Sequence, residues 1–140
     1  MNKIKVNMLL LCGLLGCSSL AYADVAVVVN LNNSTTLSDS DISRVFLGKL
    51  KKFSNGEKVT PVNLKFGSAT RNEFEEKALK KSSSQIKAYW SKRVFSGKGK
   101  PPKELGTAKD IMALVASDVN AVGYVDASTV NDSVRVIKTF

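Results

Sequence analysis

Hydrophobic positions along this chain switch repeatedly between strand-like runs and helix-like spacing, and the switches mark its elements. Val25-Ala26-Val27-Val28-Val29 is an unbroken, mostly β-branched run closed by Asn30, Asn32 and Asn33. This is the pattern of a buried strand entering a polar loop. Ser38 then stands as an N-cap, Asp39 and Asp41 suit the positive end of a helix dipole, and Leu37 with Ile42 can form a hydrophobic staple. Ile42, Val45 and Phe46 share one face, and Gly48 supplies the stop. After the turn Ser54-Asn55-Gly56-Glu57, the run Val59-Thr60-Pro61-Val62-Asn63-Leu64 reads as a second strand, its proline placing it at an edge or at a strand start.

A helix carrying Phe74, Ala78 and Leu79 follows, and Ser82 with Gln85 opens another that holds Ile86, Tyr89, Trp90, Arg93 and Val94 on or near one face. At this spacing Tyr89 and Trp90 read as core rather than as a stacking platform. Residues 96–106, with Gly97, Gly99, Pro101 and Pro102, cannot continue that helix and read as a connection. Its Gly-Lys-Gly-Lys text lacks the frame of a nucleotide-binding P-loop. Thr107 caps a fourth helix with Ile111, Leu114 and Val115 inward, and Ala121–Val125 and Ser133–Ile137 read as two closing strands. Interleaved strands and helices predict an α/β domain with a mixed or mostly parallel sheet.

The first 23 residues stand apart from this pattern. Lys3 and Lys5 precede an apolar run from Val6 to Cys17, and Ala21-Tyr22-Ala23 is a small-x-small cleavage signal. The run is shorter than the roughly 20 residues that span a bilayer, and no later segment approaches that length. The expected organisation is a signal peptide over 1–23 and one domain over 24–140, exported to the periplasm. Leu14-Leu15-Gly16-Cys17 also resembles a lipoprotein signal, which would acylate Cys17 and anchor the chain instead. Cys12 and Cys17 are the two cysteines, so cleavage after Ala23 leaves no disulfide in a domain large enough to bury its own core.

Charge and composition then narrow the chemistry. The chain has 21 Lys+Arg, 12 Asp+Glu and no histidine, for a formal net charge of +9. Loss of Lys3 and Lys5 lowers this to +7. Without histidine, neither a Ser/His/Asp nor a Cys/His nucleophilic system nor a usual zinc site can be built. Asp110, Asp118, Asp126 and Asp132 are scattered, with no base or nucleophile beside them. A binding protein without catalytic residues, metal or cofactor is therefore expected, and an exported chain with no nucleic-acid motif is not expected to take nucleic acid.

The most informative stretch is Gly67-Ser68-Ala69-Thr70-Arg71, between the second strand and the second helix. A small-residue turn entering a helix presents free backbone N–H groups at the positive end of the dipole. Ser68 and Thr70 add hydroxyl donors and Arg71 a bidentate cation, the parts of an anion cradle. The same residues fit a second description: Thr70-Arg71-Asn72-Glu73 is a capping box that satisfies its own N–H groups with no ligand, and Glu73 would repel an anion. Both readings stand on spacing alone.

Leu37-Ser38 through Gly48-Lys49, Val59-Thr60-Pro61-Val62, Gly67-Ser68-Ala69-Thr70-Arg71 with Phe74, and Ala121-Val122-Gly123-Tyr124-Val125, in this order, resemble the phosphate-binding proteins of bacterial ABC importers. The match runs from about Val25 to Val125 and is closest to the small, single-domain substrate-binding members. It implies a single lobe of class II periplasmic-binding-protein-like α/β fold, a phosphate or related oxyanion ligand, and an ABC transporter permease or another envelope protein as partner. The family's Gly-Ser-Gly-Thr turn maps onto Gly67, Ser68, Ala69 and Thr70, with Ala69 replacing the second glycine. The family places an Arg and an Asp shortly before this turn. Here the stretch is Leu64-Lys65-Phe66, where Lys65 supplies a cation and no acceptor matches the Asp.

The implied ligand-binding set is Lys65, Gly67, Ser68, Ala69, Thr70 and Arg71. The alternative is an envelope interaction module that has kept the fold and uses basic clusters, Lys98, Lys100 and Lys103 among them, to engage an acidic partner.

Overall fold

The computed structural model describes residues 24–140. The expected signal peptide, its cleavage site and Cys17 lie outside the described residues. Nine main elements follow in order: β1 (Val25–Asn30), α1 (Asp39–Phe46), β2 (Thr60–Leu64), α2 (Ala69–Lys77), α3 (Ser83–Phe95), β3 (Lys103–Leu105), α4 (Ala108–Ser117), β4 (Ala121–Asp126) and β5 (Val134–Thr139). The strands form one mixed sheet in the order β3-β2-β4-β1-β5. β2 runs parallel to β3 and β4, whereas β1 is antiparallel to β4 and β5.

All six residues of β1 are buried, which explains an apolar run with no polar alternation: the strand is covered on both faces. The period-2 geometry of β4 separates two layers. Tyr124 points to one face, where its ring stacks on Phe74 of α2 with centroids 3.9 Å apart and meets Phe46 of α1 edge-on at 5.5 Å. Gly123 faces the other way, toward Ile111 and Val115 of α4. The domain is thus a three-layer α/β/α sandwich, α1 and α2 on one side and α4 on the other.

Three caps form where the pattern predicts them. Ser38 makes a reciprocal capping box with Asp41, Ser82 makes one with Gln85, and Thr107 accepts from the Asp110 N–H. Trp90 is buried and the Tyr89 hydroxyl donates to the Leu47 carbonyl at 2.6 Å, so both aromatics are structural. The asparagines after β1 are built in as well. Asn30 donates to the Val115 and Ala116 carbonyls at the end of α4, and Asn33 to that of Val119.

Of the two positions expected for Pro61 the structure shows the strand start: β2 lies inside the sheet, and Pro61, its second residue, sits opposite Val122 where the β2–β4 ladder stops. Past that point the Tyr124 hydroxyl accepts from the Leu64 N–H at 3.3 Å and donates to Asn63 Oδ1 at 3.0 Å, replacing ladder bonds. Burial raises the Tyr124 pKa well above its ordinary value, so the phenol keeps its proton. The structure departs from expectation at three other places. The connection over 96–106 contains a strand the pattern missed, β3, whose three residues pair with Val62, Asn63 and Leu64. Val94, expected on the inward side of α3, is 53% exposed. The second helix starts two residues earlier than a Thr70 cap would place it, for reasons given below.

Gly123 is the closest approach of helix to sheet. A Cβ there would lie 2.6 Å from Ile111 Cγ2 and 3.4 Å from Val115 Cγ2. Gly123→Ala must therefore push α4 off the sheet, and should lower stability by about 1–3 kcal/mol in urea denaturation. An unchanged midpoint would show that α4 is free to move.

Candidate functional site

The chain leaves β2 at Leu64 and enters α2 at Ala69 through a four-residue turn. The Ser68 N–H donates to the Lys65 carbonyl at 3.1 Å, and Gly67 has φ +83°, the value a type II turn demands at its third position. A side chain at Gly67 would meet nothing within 4 Å, so it is the dihedral angle and not space that favours glycine. Ser68 follows in extended conformation, φ −67° and ψ 148°, and is the true N-cap: its Oγ accepts from the Arg71 N–H at 3.4 Å. The Thr70–Glu73 box does not form. The turn delivers Ser68, one position before the helix, into cap geometry, and Glu73 pairs with Lys77 at 2.8 Å instead.

This arrangement frees the first turn of α2. Asn72 N–H bonds the Ser68 carbonyl and Arg71 N–H the Ser68 hydroxyl. The N–H groups of Ala69 and Thr70 precede the first intrahelical acceptor and point along the helix axis. Ala69 is exposed, and Ser68 and Thr70 are half-buried. The Ser68 hydroxyl accepts from the backbone and keeps its own proton to donate.

Lys65 and Arg71, the two cations expected at this turn, occupy different environments. Lys65 is exposed, and its ammonium lies over the β3–α4 connection, with Nζ and an Asp110 carboxylate oxygen each 3.9 Å from where a Gly106 side chain would begin. β2 and β3 are parallel, so the starts of α2 and α4 share the carboxyl edge of the sheet with Lys65 beside both. Ligands of open α/β sheets gather at this edge.

Arg71 turns inward and is only 4% exposed. Its Nη1 donates to the Leu64 carbonyl at 3.0 Å and to Glu104 Oε1 at 2.6 Å, and its Nε to Glu75 Oε2 at 3.3 Å. Phe66 covers the guanidinium at 5.4 Å from ring centroid to Cζ. Arg71 therefore braces the end of β2 against α2 and β3 rather than presenting charge to solvent. Sequence spacing placed Arg71 beside the turn and Glu75 four residues on along the same helix, but carried no sign of Glu104, 33 residues away on the strand the pattern missed.

Glu75 is buried beside it. Loss of hydration raises its pKa above the ordinary carboxylate value, against the opposing pull of Arg71 and of the nearby Ser83 hydroxyl. Among the described residues no group of three acidic, cysteine or histidine side chains is placed to hold a metal ion, and no helix is long and apolar enough to cross a membrane.

The fold is similar to an ABC-type phosphate transport receptor from Vibrio cholerae, with TM-score 0.61 and 21% identity over 83% of this chain and 47% of that one. It is also similar to a putative phosphate ABC transporter substrate-binding protein with bound phosphate from Clostridium perfringens, with TM-score 0.65 and 24% identity over 83% of this chain and 45% of that one. PstS from Borrelia burgdorferi aligns at TM-score 0.60 with 8% identity, over 83% of this chain and 47% of its own. This chain spans about half the length of each of these neighbours. No family profile and no curated protein matches the chain by sequence.

Two outcomes test the brace. Arg71→Met leaves Glu75 buried without its cation and should lose about 3–5 kcal/mol of stability, whereas Arg71→Met/Glu75→Leu should recover most of it. Chemical denaturation of both variants checks this, and equal losses would refute it. Glu75 takes up a proton in the folded state before it does in the unfolded chain, so its contribution is fully present below the unfolded pKa and is lost as pH rises through the folded one. Between about pH 7 and pH 4, acidification should move the stability difference between wild type and Glu75→Gln in favour of wild type. The opposite slope would mean that Arg71 outweighs burial.

Proposed function

We propose that this chain is an exported solute-binding-like protein that takes phosphate or a related oxyanion at the start of α2, in a route linked to phosphate uptake. The observation that carries this reading is the turn itself. The positive φ of Gly67 and the Ser68 cap leave the Ala69 and Thr70 N–H groups free at the positive end of a helix, with two hydroxyls alongside. An anion there accepts hydrogen bonds from the Ala69 and Thr70 N–H groups and from the hydroxyls of Ser68 and Thr70. Lys65 supplies the mobile positive charge. Arg71 serves by holding the turn in shape, and Glu73, the nearest carboxylate in sequence, is neutralised by Lys77.

The bound phosphate of the Clostridium perfringens neighbour and the phosphate transport role named for the Vibrio cholerae receptor support this ligand class. The partner of this reading is an ABC transporter permease or another envelope protein. Removal of 1–23 would release the domain into the periplasm, and acylation at Cys17 would tether it there.

Titration calorimetry with inorganic phosphate tests the site. Ser68→Ala and Thr70→Val each remove a hydroxyl donor to a charged ligand and should weaken binding by about tenfold, in line with roughly 1.5 kcal/mol per charge-assisted hydrogen bond. Lys65→Gln should weaken it less and flatten its salt dependence. Binding that is unchanged in Ser68→Ala and Thr70→Val overturns the assignment. The intact mass of the protein from the cell envelope distinguishes a chain beginning at Asp24 from one acylated at Cys17.

A further inference from the structure

A concavity lies between α3 and the segment leading into β3, with Arg71 of the first turn of α2 at its wall. It encloses about 490 Å³. Ile86, Trp90, Val94, Phe95 and Pro101 form an apolar lining, and the Arg71–Glu104 ion pair closes one wall. Val94 is 53% exposed and Phe95 96% exposed, although both sit in a well-formed helix whose buried face is supplied by Ile86 and Trp90. Two adjacent large apolar side chains left in water beside an apolar groove are not required by the packing of this domain.

Charge around the groove is one-sided. From Lys80 to Lys103 the chain carries eight lysines and arginines and no carboxylate. Lys87 lines the groove itself, and Lys98 and Lys100 lie on the five-residue loop between two of its lining residues, Phe95 and Pro101. The one acid in the lining, Glu104, is tied to Arg71 at 2.6 Å. A second copy of this chain would bring the same cationic surface against itself, and a flat lipid surface would leave the concavity unfilled. A protein segment with a protruding apolar side chain flanked by carboxylates matches both shape and charge.

We propose that this groove docks such a segment: an aromatic or aliphatic anchor enters between Trp90, Val94, Phe95 and Pro101, while Asp or Glu residues beside it meet Lys87, Lys98 and Lys100. The apolar anchor supplies affinity, and the lysines select acidic partners and speed their capture. The groove shares the Arg71 brace with the oxyanion turn, but the docking proposal does not depend on that turn binding an anion.

Trp90 is the single tryptophan of the chain, so its fluorescence reports on the groove directly. The probe is a random seven-residue peptide library displayed on phage and selected on the folded protein, followed by titration of the enriched peptides against Trp90 emission. Enrichment of peptides with an apolar centre and acidic flanks, with a change in Trp90 emission on binding, is the expected result. Phe95→Ser, at a position that is nearly all solvent-exposed, should weaken these peptides by roughly tenfold without altering the fold. Lys98→Glu/Lys100→Glu should abolish the preference for acidic flanks and the salt dependence of binding. Four outcomes would overturn the proposal. They are enrichment without acidic flanks, equal affinity in Phe95→Ser, Phe95-dependent dimerisation in sedimentation, and Phe95-dependent binding to vesicles of anionic phospholipid in place of peptides.

Discussion

The buried guanidinium of Arg71 is the interaction on which the arrangement of this domain turns. It reaches the last carbonyl of β2, the carboxylate of Glu75 one helical turn further along α2, and Glu104 on β3. It ties α2 to the end of β2 and to β3, two strands already paired in a parallel ladder. An arginine is suited to this place because its planar fork keeps its charge and can satisfy several acceptors at once. The price is a second buried group, Glu75, whose lost hydration is offset in part by Arg71 and the Ser83 hydroxyl.

That brace and the aromatic cluster work on the same few residues from opposite directions. Phe74 lies three residues beyond Arg71 and turns the next face of α2 onto the sheet, where it stacks on Tyr124. The Tyr124 hydroxyl then bonds the N–H of Leu64, the residue whose carbonyl Arg71 holds. Leu64 is thus secured on both its polar groups just where β2 leaves the ladder and the chain turns through Gly67. A rigid departure point fixes where the first turn of α2 aims, and therefore where its free N–H groups point.

With Arg71 directed inward, the face that meets solvent at this turn is made of neutral donors and one flexible lysine. The domain has the same fold as receptors for phosphate transport yet carries Phe66 over its arginine, and no acidic acceptor stands before the turn. In the proposed site, an anion would be held through the helix dipole and hydroxyls more than through a fixed ion pair. The charge that dominates the composition lies elsewhere, along α3 and its following loop, beside the exposed Val94 and Phe95. The proposed oxyanion turn and the proposed docking groove thus meet at a shared Arg71 but present different chemistry, neutral donors on one and apolar side chains on the other.

Much of the fold was legible along the chain. The β-branched run of β1, the caps at Ser38, Ser82 and Thr107, and the closing strands are local signals, because each depends on residues within a few positions of one another. The small-residue turn at 67–70 was legible for the same reason, since a type II turn and a helix start are written in adjacent residues. Three things were decided only by tertiary structure. Lys103–Leu105 is too short and too polar to announce a strand, and it becomes one by pairing with β2. Ser68 displaced Thr70 as the cap because the preceding turn, anchored through Leu64, set the backbone there. Arg71 is turned inward by Glu75 and by the Leu64 carbonyl, and its further bond to Glu104, 33 residues away, depends on a pairing of β2 with β3 that no spacing rule encodes. Local order in this protein follows from neighbouring residues, whereas the full set of partners around its key charge follows from which strands the sheet brings together.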